Sequence, residues 1–180
     1  MKASEEKTDK RSDVVIARFK ELEGARNLYL DTVIPQYERL NYSVVGQSGQ
    51  NADTPGAPIP ADDQWSVEIL RCAPGRGAAF HDHPVIEMFM PLTGRWALRT
   101  SHHPDQASES VEELFADAWD MVSVAPGVWR SFENVSVDDA YILAMGTLIG
   151  FKTWFAPAVV AEARRRGWAV DGAGRMHCMS

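Results

Sequence analysis

Apolar residues are distributed in short runs along the central part of the chain, and turn-forming pairs separate the runs. The pairs are Pro74-Gly75, Thr93-Gly94 and Pro126-Gly127. Several short strands punctuated in this way predict a β-sandwich or β-barrel. The predicted strands cover residues 65–72, 85–92, 95–100, 121–124, 129–132 and 141–148. Residues 101–119 form a polar, acidic excursion between two of these runs.

The N-terminal part of the chain has a helical rather than a strand-like pattern. Ser12 and Asp13 are typical N-terminal caps for a short helix that ends at Gly24, with one apolar face made of Val15, Phe19 and Leu22. Residues 25–46 are ambiguous: apolar positions from Tyr29 to Leu40 fit a helical stripe that Pro35 interrupts, whereas Tyr42–Val45 is typical of a strand. Residues 46–64 are rich in glycine, proline and small polar residues, which is typical of a loop.

The C-terminal part predicts one further helix. Pro157 occupies its first position, residues 158–166 continue it, and Gly167 ends it. The expected fold is therefore all-β, a single β-barrel with short N- and C-terminal helices. Its predicted divisions are a flexible tail (1–13), an extension of helix, strand and loop (14–64), the barrel (65–150), and a C-terminal helix and tail (151–180).

Composition narrows the class of protein. Hydrophobic residues make up 45% and charged residues 24% of the 180 positions, as in ordinary globular domains. The net charge of −7, without a basic stripe, argues against nucleic-acid binding. The longest apolar stretch, 140–160, is interrupted by glycine, lysine and proline, so no membrane span is expected. Two cysteines and no secretory signal lead us to expect a cytoplasmic protein.

The segment with the clearest chemistry lies after the first predicted strand. His81 and His83 are two residues apart, so their side chains share a face in extended chain, and Glu87 keeps that parity if no bulge intervenes. Two imidazoles and a carboxylate are the donors that a divalent first-row metal requires, and they match the facial triad of non-haem iron. We therefore predict a metal site for iron, manganese, nickel or zinc.

This segment resembles the first motif of the cupin superfamily. The chain reproduces each fixed position of that motif: Gly75, His81, His83, Glu87 and Gly94. The second motif matches less well. Aligning Gly127 and Asn134 with it places Arg130 where cupins usually carry their last histidine ligand, Ala125 at a proline, and Trp119 at the opening glycine. The resemblance covers residues 65–148 and implies a jelly-roll barrel with its site inside.

Arg130 leaves three alternatives open. A guanidinium offers no lone pair to a metal, and a charge about 5 Å from a divalent ion costs roughly 6–7 kcal/mol at an effective dielectric near 20. Arg130 can point past the metal and bind a substrate anion, pair with Glu87 in a site without metal, or face outward. Strand parity places Phe89 on the face of Glu87, with Trp96 and Met145 on neighbouring walls. We expect these three residues and Arg130 to contact the substrate.

The resemblance implies two classes of function. The first is a metal-dependent enzyme acting on a small organic anion, a carboxylate, with dioxygenase-like chemistry favoured by the ligand count and Arg130 orienting the anion. The alternative is a non-catalytic binding or sensing cupin without metal, with Arg130 paired to Glu87 or to the ligand. A homodimer formed through strand edges is expected, because cupins often dimerise in this way.

Overall fold

The chain forms two five-stranded antiparallel sheets and one small hairpin. The computed structural model describes residues 14–46, 49–61, 64–105, 110–149 and 151–179. Within them the strands are β1 (Leu40–Val45), β2 (Trp65–Cys72), β3 (Gly77–Asp82), β4 (Glu87–Pro91), β5 (Arg95–Ser101), β6 (Glu112–Asp117), β7 (Val122–Val124), β8 (Trp129–Asn134), β9 (Ala140–Thr147), β10 (Trp154–Phe155), β11 (Trp168–Val170) and β12 (Met176–Cys178).

The two sheets pack against each other through their alternating apolar faces. The first has the order β1-β2-β9-β4-β7 and the second β10-β3-β8-β5-β6. Side chains of both sheets meet in one buried cluster that includes Leu70, Phe89, Ile142, Trp96, Leu98 and Phe132. The predicted all-β class is confirmed, and the order of strands is the crossed order of a jelly roll, with neighbours distant in sequence.

The predicted strands agree with the structure wherever burial alternates clearly. The strand at 65–72 has the predicted bounds, and the other five differ by one or two residues at their ends. The prediction missed β3, in which all six residues are buried, and β6, in which only Ala116 is buried. Neither of these two has an alternating pattern, so period-two analysis cannot detect it. It also missed β10, β11 and β12, which are only two or three residues long.

The predicted N-terminal helix is wrong. The proposed caps lie outside the described residues, and the following residues are extended up to a single 3-10 turn at Phe19–Glu21. Of the proposed apolar face, Val15 is exposed, and Phe19 packs on the rings of Tyr42 and Tyr141 from the 3-10 turn rather than from a helix. A short helix with β-branched residues and no packed face is not stable in water.

Residues 25–37 pack against β3 of the second sheet through a second core. This core joins Leu28, Tyr29 and Leu30 to Phe80 of β3 and to the helix α1 (Pro157–Arg165). Residues 30–33 and 35–37 are 3-10 turns, and β1 follows them as the edge strand of the first sheet. The ambiguous region is therefore two turns and a strand.

A buried ion pair fixes this segment. Both terminal nitrogens of the Arg39 guanidinium donate to the carboxylate of Asp31, with Nη1–Oδ2 at 2.9 Å and Nη2–Oδ1 at 3.1 Å. Neither side chain is appreciably exposed. Arg39 also donates to the carbonyl of Gly77, and Asp31 accepts from the backbone N–H of Ala79. Both contacts are to β3, so the Asp31–Arg39 pair connects the N-terminal segment to the strand that carries His81.

The C-terminal helix has its predicted form. Pro157 is its first residue, and Gly167 follows its end with φ of +82°. Among the described residues, no helix is long and apolar enough to cross a membrane.

Cys72 is fully buried, and burial raises the pKa of its thiol to about 12, so it behaves as a small apolar side chain.

Trp119 adopts a backbone conformation that normally belongs to glycine. Its φ is +76°, and it is the only non-glycine residue with positive φ in the described part of the chain. Gly75, Gly94 and Gly127 have φ between +71° and +75°. Trp119 aligns with the glycine that opens the second cupin motif, so this position has a backbone conformation typical of glycine although the residue is tryptophan.

We expect Trp119→Gly to raise the free energy of unfolding by up to about 1 kcal/mol, because relief of left-handed strain exceeds the entropy that glycine adds to the unfolded chain. Urea unfolding measures the difference. Gly127→Ala is the reciprocal control: no atom lies within 4 Å of an added Cβ, so its expected loss of stability is due to backbone strain alone. A destabilised Trp119→Gly variant would contradict the interpretation.

We expect Asp31→Ala to lower the free energy of unfolding by about 3–5 kcal/mol, because it leaves the buried Arg39 charge without a partner. Glu38→Ala is the matched control in the same segment. Glu38 pairs with Arg26 in solvent, with side chains 53% and 64% exposed, and its loss should cost less than about 1 kcal/mol. Similar losses of unfolding free energy for both variants in chemical denaturation would show that burial does not increase the contribution of the Asp31–Arg39 pair to stability.

Candidate metal centre

Three strands position the ionisable residues of the interior. His81 is near the end of β3, His83 follows that strand directly, and Glu87 begins β4. Arg130 in β8 is the direct cross-strand partner of His81, so both side chains point to the same side of the second sheet. All four residues are buried, and the structure brings the three predicted metal ligands together.

Backbone carbonyls set the tautomers of both histidines. Nδ1 of His81 lies 2.7 Å from the carbonyl oxygen of Ala79, and Nδ1 of His83 lies 2.6 Å from that of Lys152. Because a carbonyl oxygen only accepts, each Nδ1 carries the proton and donates it. In the neutral rings this leaves a lone pair on each Nε2, which is the arrangement found in metal-ligating histidines.

The two lone pairs converge on the carboxylate of Glu87. Oε2 of Glu87 lies 3.7 Å from Nε2 of His81 and 3.4 Å from Nε2 of His83, and it makes no hydrogen bond. Burial lowers the pKa of His81, which favours the neutral ring. Burial raises the pKa of Glu87, whereas His83 and His81 lower it well below its usual range when their rings are protonated and donate to the carboxylate. With both rings neutral, three acceptor atoms face one another.

Two phenylalanine rings pack against the imidazole rings of His81 and His83. Phe151 stacks on His83 with ring centroids 4.5 Å apart, and Phe155 tilts against His81 at 5.9 Å. Phe155 lies in β10 and is the cross-strand partner of His81 on the side opposite Arg130. The segment after β9 therefore supplies the carbonyl of Lys152 and two rings, so the histidines have little freedom to turn away.

Arg130 faces inward, and its side chain is fully buried. Nη1 lies 3.3 Å from Oδ1 of Asp82, the residue between the two histidines, and Nη2 donates to the carbonyl of Ala125 at 3.3 Å. Nε is 3.7 Å from Oε2 of Glu87 but makes no hydrogen bond. The outward orientation is therefore wrong, and Asp82 rather than Glu87 is the residue to which Arg130 donates.

A cavity of about 30 Å³ opens beside the three predicted ligands. That volume holds about two water molecules. Its walls are Tyr29, Arg39, Glu68, Leu70, Ala78, His81, His83, Glu87, Phe89, Phe132, Ala144, Thr153 and Phe155. Phe89 lines it as predicted from parity. Arg130 is not part of the wall, so the geometry does not support its predicted contact with substrate.

Two other residues predicted to contact substrate lie elsewhere. Trp96 is fully buried between the sheets against Phe132, and its indole N–H donates to the carbonyl of Thr93. Met145 is paired with Met88 across the strands, whereas Ala144 is paired with Phe89. Since directly paired residues share a face, the inner face of β9 carries Ala144, and the parity assigned to Met145 was wrong.

Sequence reasoning missed the four polar residues that line the cavity beside the predicted ligands: Tyr29, Arg39, Glu68 and Thr153. Glu68 lies in the correctly predicted β2 at the same parity as Leu70, so a charged residue on an inner face was visible in the pattern. Tyr29 and Arg39 come from the ambiguous N-terminal region, and Thr153 comes from the segment after β9. For these three the sequence held no comparable signal, because their position depends on how the segments pack on the sheets.

Solved structures share this architecture at low sequence identity. The oxalate decarboxylase of Lactobacillus farciminis, solved as a formate complex, is 11% identical with a TM-score of 0.54, and covers 79% of this chain and 36% of its own. An oxalate oxidase is 18% identical with a TM-score of 0.50, and covers 68% and 57%. The protein has the cupin fold.

The cupin likeness extends to the fold alone. The chain spans only 36% and 57% of the lengths of those two proteins. No protein-family profile matches the chain, and no curated protein matches it in sequence. What the chain binds therefore has to be argued from its own side chains.

We expect Arg130→Met to lower the free energy of unfolding by about 3–5 kcal/mol, because Asp82 and Glu87 then lose their buried counter-charge. Arg99→Met in the neighbouring strand is the control. Arg99 pairs with Glu113 and Glu133 but is 36% exposed, so the expected loss is below about 1 kcal/mol. Calorimetry on both variants measures the contrast. An Arg130 variant as stable as the wild type would show that this guanidinium is not needed as a counter-ion.

Proposed function

We propose that the protein is a metal-dependent cupin enzyme in which His81, His83 and Glu87 hold one divalent ion of the first transition series. Support comes first from the geometry of the acceptors. Their ligating atoms lie within 4.8 Å of one another, and the two Nε2–Oε2 separations of 3.4 and 3.7 Å suit ligands that share one ion at about 2.0–2.2 Å.

The convergence of acceptors without a donor is the observation that carries this proposal. Two neutral imidazole lone pairs and an ionised carboxylate repel one another, and Oε2 of Glu87, which is buried without a hydrogen-bond partner, costs about 1–3 kcal/mol. A divalent cation between them removes both penalties. Neutral histidines with Nδ1 already committed to carbonyls are prepared for that role.

The charge balance of the interior supports the same conclusion. Among the described residues, the buried carboxylates are Asp31, Glu68, Asp82 and Glu87, and the buried guanidiniums are Arg39 and Arg130. With neutral histidines their formal charge is −2. One divalent ion neutralises it, and such a balance is expected where water does not screen charges.

An ion held by His81, His83 and Glu87 would leave positions open and would supply Lewis-acid or redox chemistry at this site. The two-histidine, one-carboxylate set is typical of non-haem iron oxygenases, so dioxygenase-like chemistry on a small organic anion is our first reaction class. Arg130 does not orient this anion, because its charge is directed to Asp82 and Glu87. Arg130 instead serves as a fixed internal counter-ion.

A non-catalytic cupin without metal is the second candidate. The 3.7 Å approach of Arg130 Nε to Glu87 Oε2 favours it, since a small rotation of either side chain would give a hydrogen-bonded ion pair. In that case Glu87 is neutralised by the protein itself and the site has no need of a cation. The two candidates differ in whether the wild type binds metal at all.

We expect protein purified without a His-tag to contain close to one equivalent of a first-row divalent metal by elemental analysis. His81→Ala and Glu87→Ala should reduce that content below about a tenth, because each variant leaves only two ligands. Removal of the metal by a chelator should lower the melting temperature, since a ligand that binds only the folded state stabilises it.

His102→Ala is the matched control, because His102 is exposed and far from the cluster in sequence. It should keep full metal content. Wild-type protein that contains no metal and takes up none when titrated with iron, manganese, nickel and zinc would reject the enzyme proposal and leave the metal-free cupin as the function.

A further inference from the structure

A second cavity, at the protein surface, opens between the N-terminal segment and the turn that follows β2. Its volume of about 370 Å³ is within the range of small-molecule sites. Among the described residues its walls carry four guanidiniums and two carboxylates: Arg26, Glu38, Arg39, Leu40, Arg71, Ala73, Arg76 and Asp139. This excess of cations lies on a chain whose net charge is −7. The composition of the wall therefore favours an anionic occupant.

Strand pairing brings the arginines together from distant parts of the sequence. Arg71, near the end of β2, is paired with Leu40 at the start of β1. The bridge between Ala25 and Asn41 holds the next residue along the chain, Arg26, against the start of the same strand. The turn between β2 and β3 completes the wall. The backbone of the first sheet thus fixes the spacing of the cationic side chains.

Two of the arginines are only partly engaged by the carboxylates of the wall. Nη1 of Arg26 donates to Oε1 of Glu38 at 2.7 Å, and Nε and Nη2 of Arg71 reach a single oxygen, Oδ2 of Asp139, at 2.9 and 2.6 Å. Arg71 has one further acceptor, the phenol of Tyr42. Because a guanidinium has five N–H donors, both side chains keep donors to spare. All four paired side chains are at least 40% exposed, and such pairs are weak enough for a stronger acceptor to compete with them.

Arg76 is the cation of this cavity that lacks a counter-charge. Its side chain is half-buried and makes no ion pair or hydrogen bond with any described residue. Its backbone is nevertheless fixed on both sides: the N–H donates to the carbonyl of Ala73 at 3.0 Å, and the carbonyl accepts from the N–H of Asn134 at 2.8 Å. A free charge on a fixed turn suits a preformed anion site, because little backbone has to be ordered when the anion binds.

We propose that Arg26, Arg71 and Arg76 bind a phosphate group in this cavity. A phosphate group carries nearly two negative charges and three acceptor oxygens, whereas a carboxylate carries one charge on two oxygens. Guanidiniums bind phosphate through paired N–H donors, and three of them meet here. The volume of the cavity also leaves room for the rest of a phosphate monoester.

This site does not depend on the proposed metal centre. The fourth arginine, Arg39, lines both cavities, but its charge is committed to Asp31 in the buried ion pair. None of the three arginines that we assign to phosphate lines the cavity beside His81, His83 and Glu87. Phosphate binding and metal binding can therefore fail or succeed separately.

Calorimetric titration of the wild-type protein with inorganic phosphate, glucose 6-phosphate and acetate tests the class of ligand. We expect at least one of the two phosphate probes to bind about tenfold more tightly than acetate, since one additional hydrogen bond between charged groups contributes about that factor. Tighter binding of the ester would identify a phosphorylated small molecule as the source of the group, and tighter binding of inorganic phosphate would identify the free ion. Equal affinity for acetate, or no binding of either phosphate probe at millimolar concentration, would overturn the inference.

Variants locate the bound phosphate. Arg76→Gln should weaken binding of the tighter phosphate probe about tenfold. Arg164→Gln is the matched control and should leave the affinity unchanged, because Arg164 is an exposed arginine of α1 outside this cavity and has no ion pair within the described residues. Asp139→Asn should tighten binding several-fold, since it removes the carboxylate that competes for Arg71.

The last variant excludes a purely structural explanation, because loss of a surface ion pair alone would not improve ligand binding. Unchanged affinity in Arg76→Gln would overturn the inference, and it is also the result expected if phosphate binds a metal ion at His81, His83 and Glu87 instead. Equal losses in Arg76→Gln and Arg164→Gln would reduce the effect to net charge and overturn it as well. No gain in Asp139→Asn would contradict the competition on which the site depends.

Discussion

The interior of this protein is organised around three acceptor atoms that face one another. Nε2 of His81 and Nε2 of His83 point at Oε2 of Glu87 because carbonyl oxygens fix each Nδ1 as a donor and two phenylalanine rings hold the imidazoles in place. Burial makes the arrangement unfavourable on its own and also prevents water from relieving it. The tautomers, the formal charge of −2 and the unsatisfied carboxylate oxygen are therefore parts of one electrostatic requirement, which a divalent cation meets.

Arg130 is a permanent cation that lies next to these three acceptor atoms. Cross-strand pairing with His81 would bring any residue at this position to the inner face. The guanidinium is directed away from the lone pairs by Asp82 and by the carbonyl of Ala125. Asp82 is the residue between the two histidines, so the same short stretch of chain positions the imidazoles and provides a carboxylate that pairs with Arg130. The position that aligns with a histidine ligand in the second cupin motif is in this chain a buried counter-charge beside His81, His83 and Glu87.

The sequence predicts the parts of the site that one stretch of chain determines. His81, His83 and Glu87 lie within seven residues, and the structure brings their side chains together as predicted. Strand parity accounts for the two histidines, whereas Glu87 begins a strand of the other sheet and meets them because the two sheets pack face to face. The inner face of β9 depends instead on register with β4, which the composition of β9 does not reveal, and Met145 was placed on the wrong side. The N-terminal residues were harder still. Asp31 and Arg39 are polar residues in an irregular segment, and their burial follows only from their pairing with each other and with β3.

The cupin motifs place only part of the cavity wall, namely His81, His83 and Glu87, and folds of this kind serve many different reactions. The opposite wall comes from outside the motifs: Tyr29 from the segment held by the Asp31–Arg39 pair, and Thr153 from the segment that also supplies the carbonyl for His83. Both segments contact β3, the strand that carries His81. The packing of the cavity wall and the position of the first histidine therefore depend on the same buried strand.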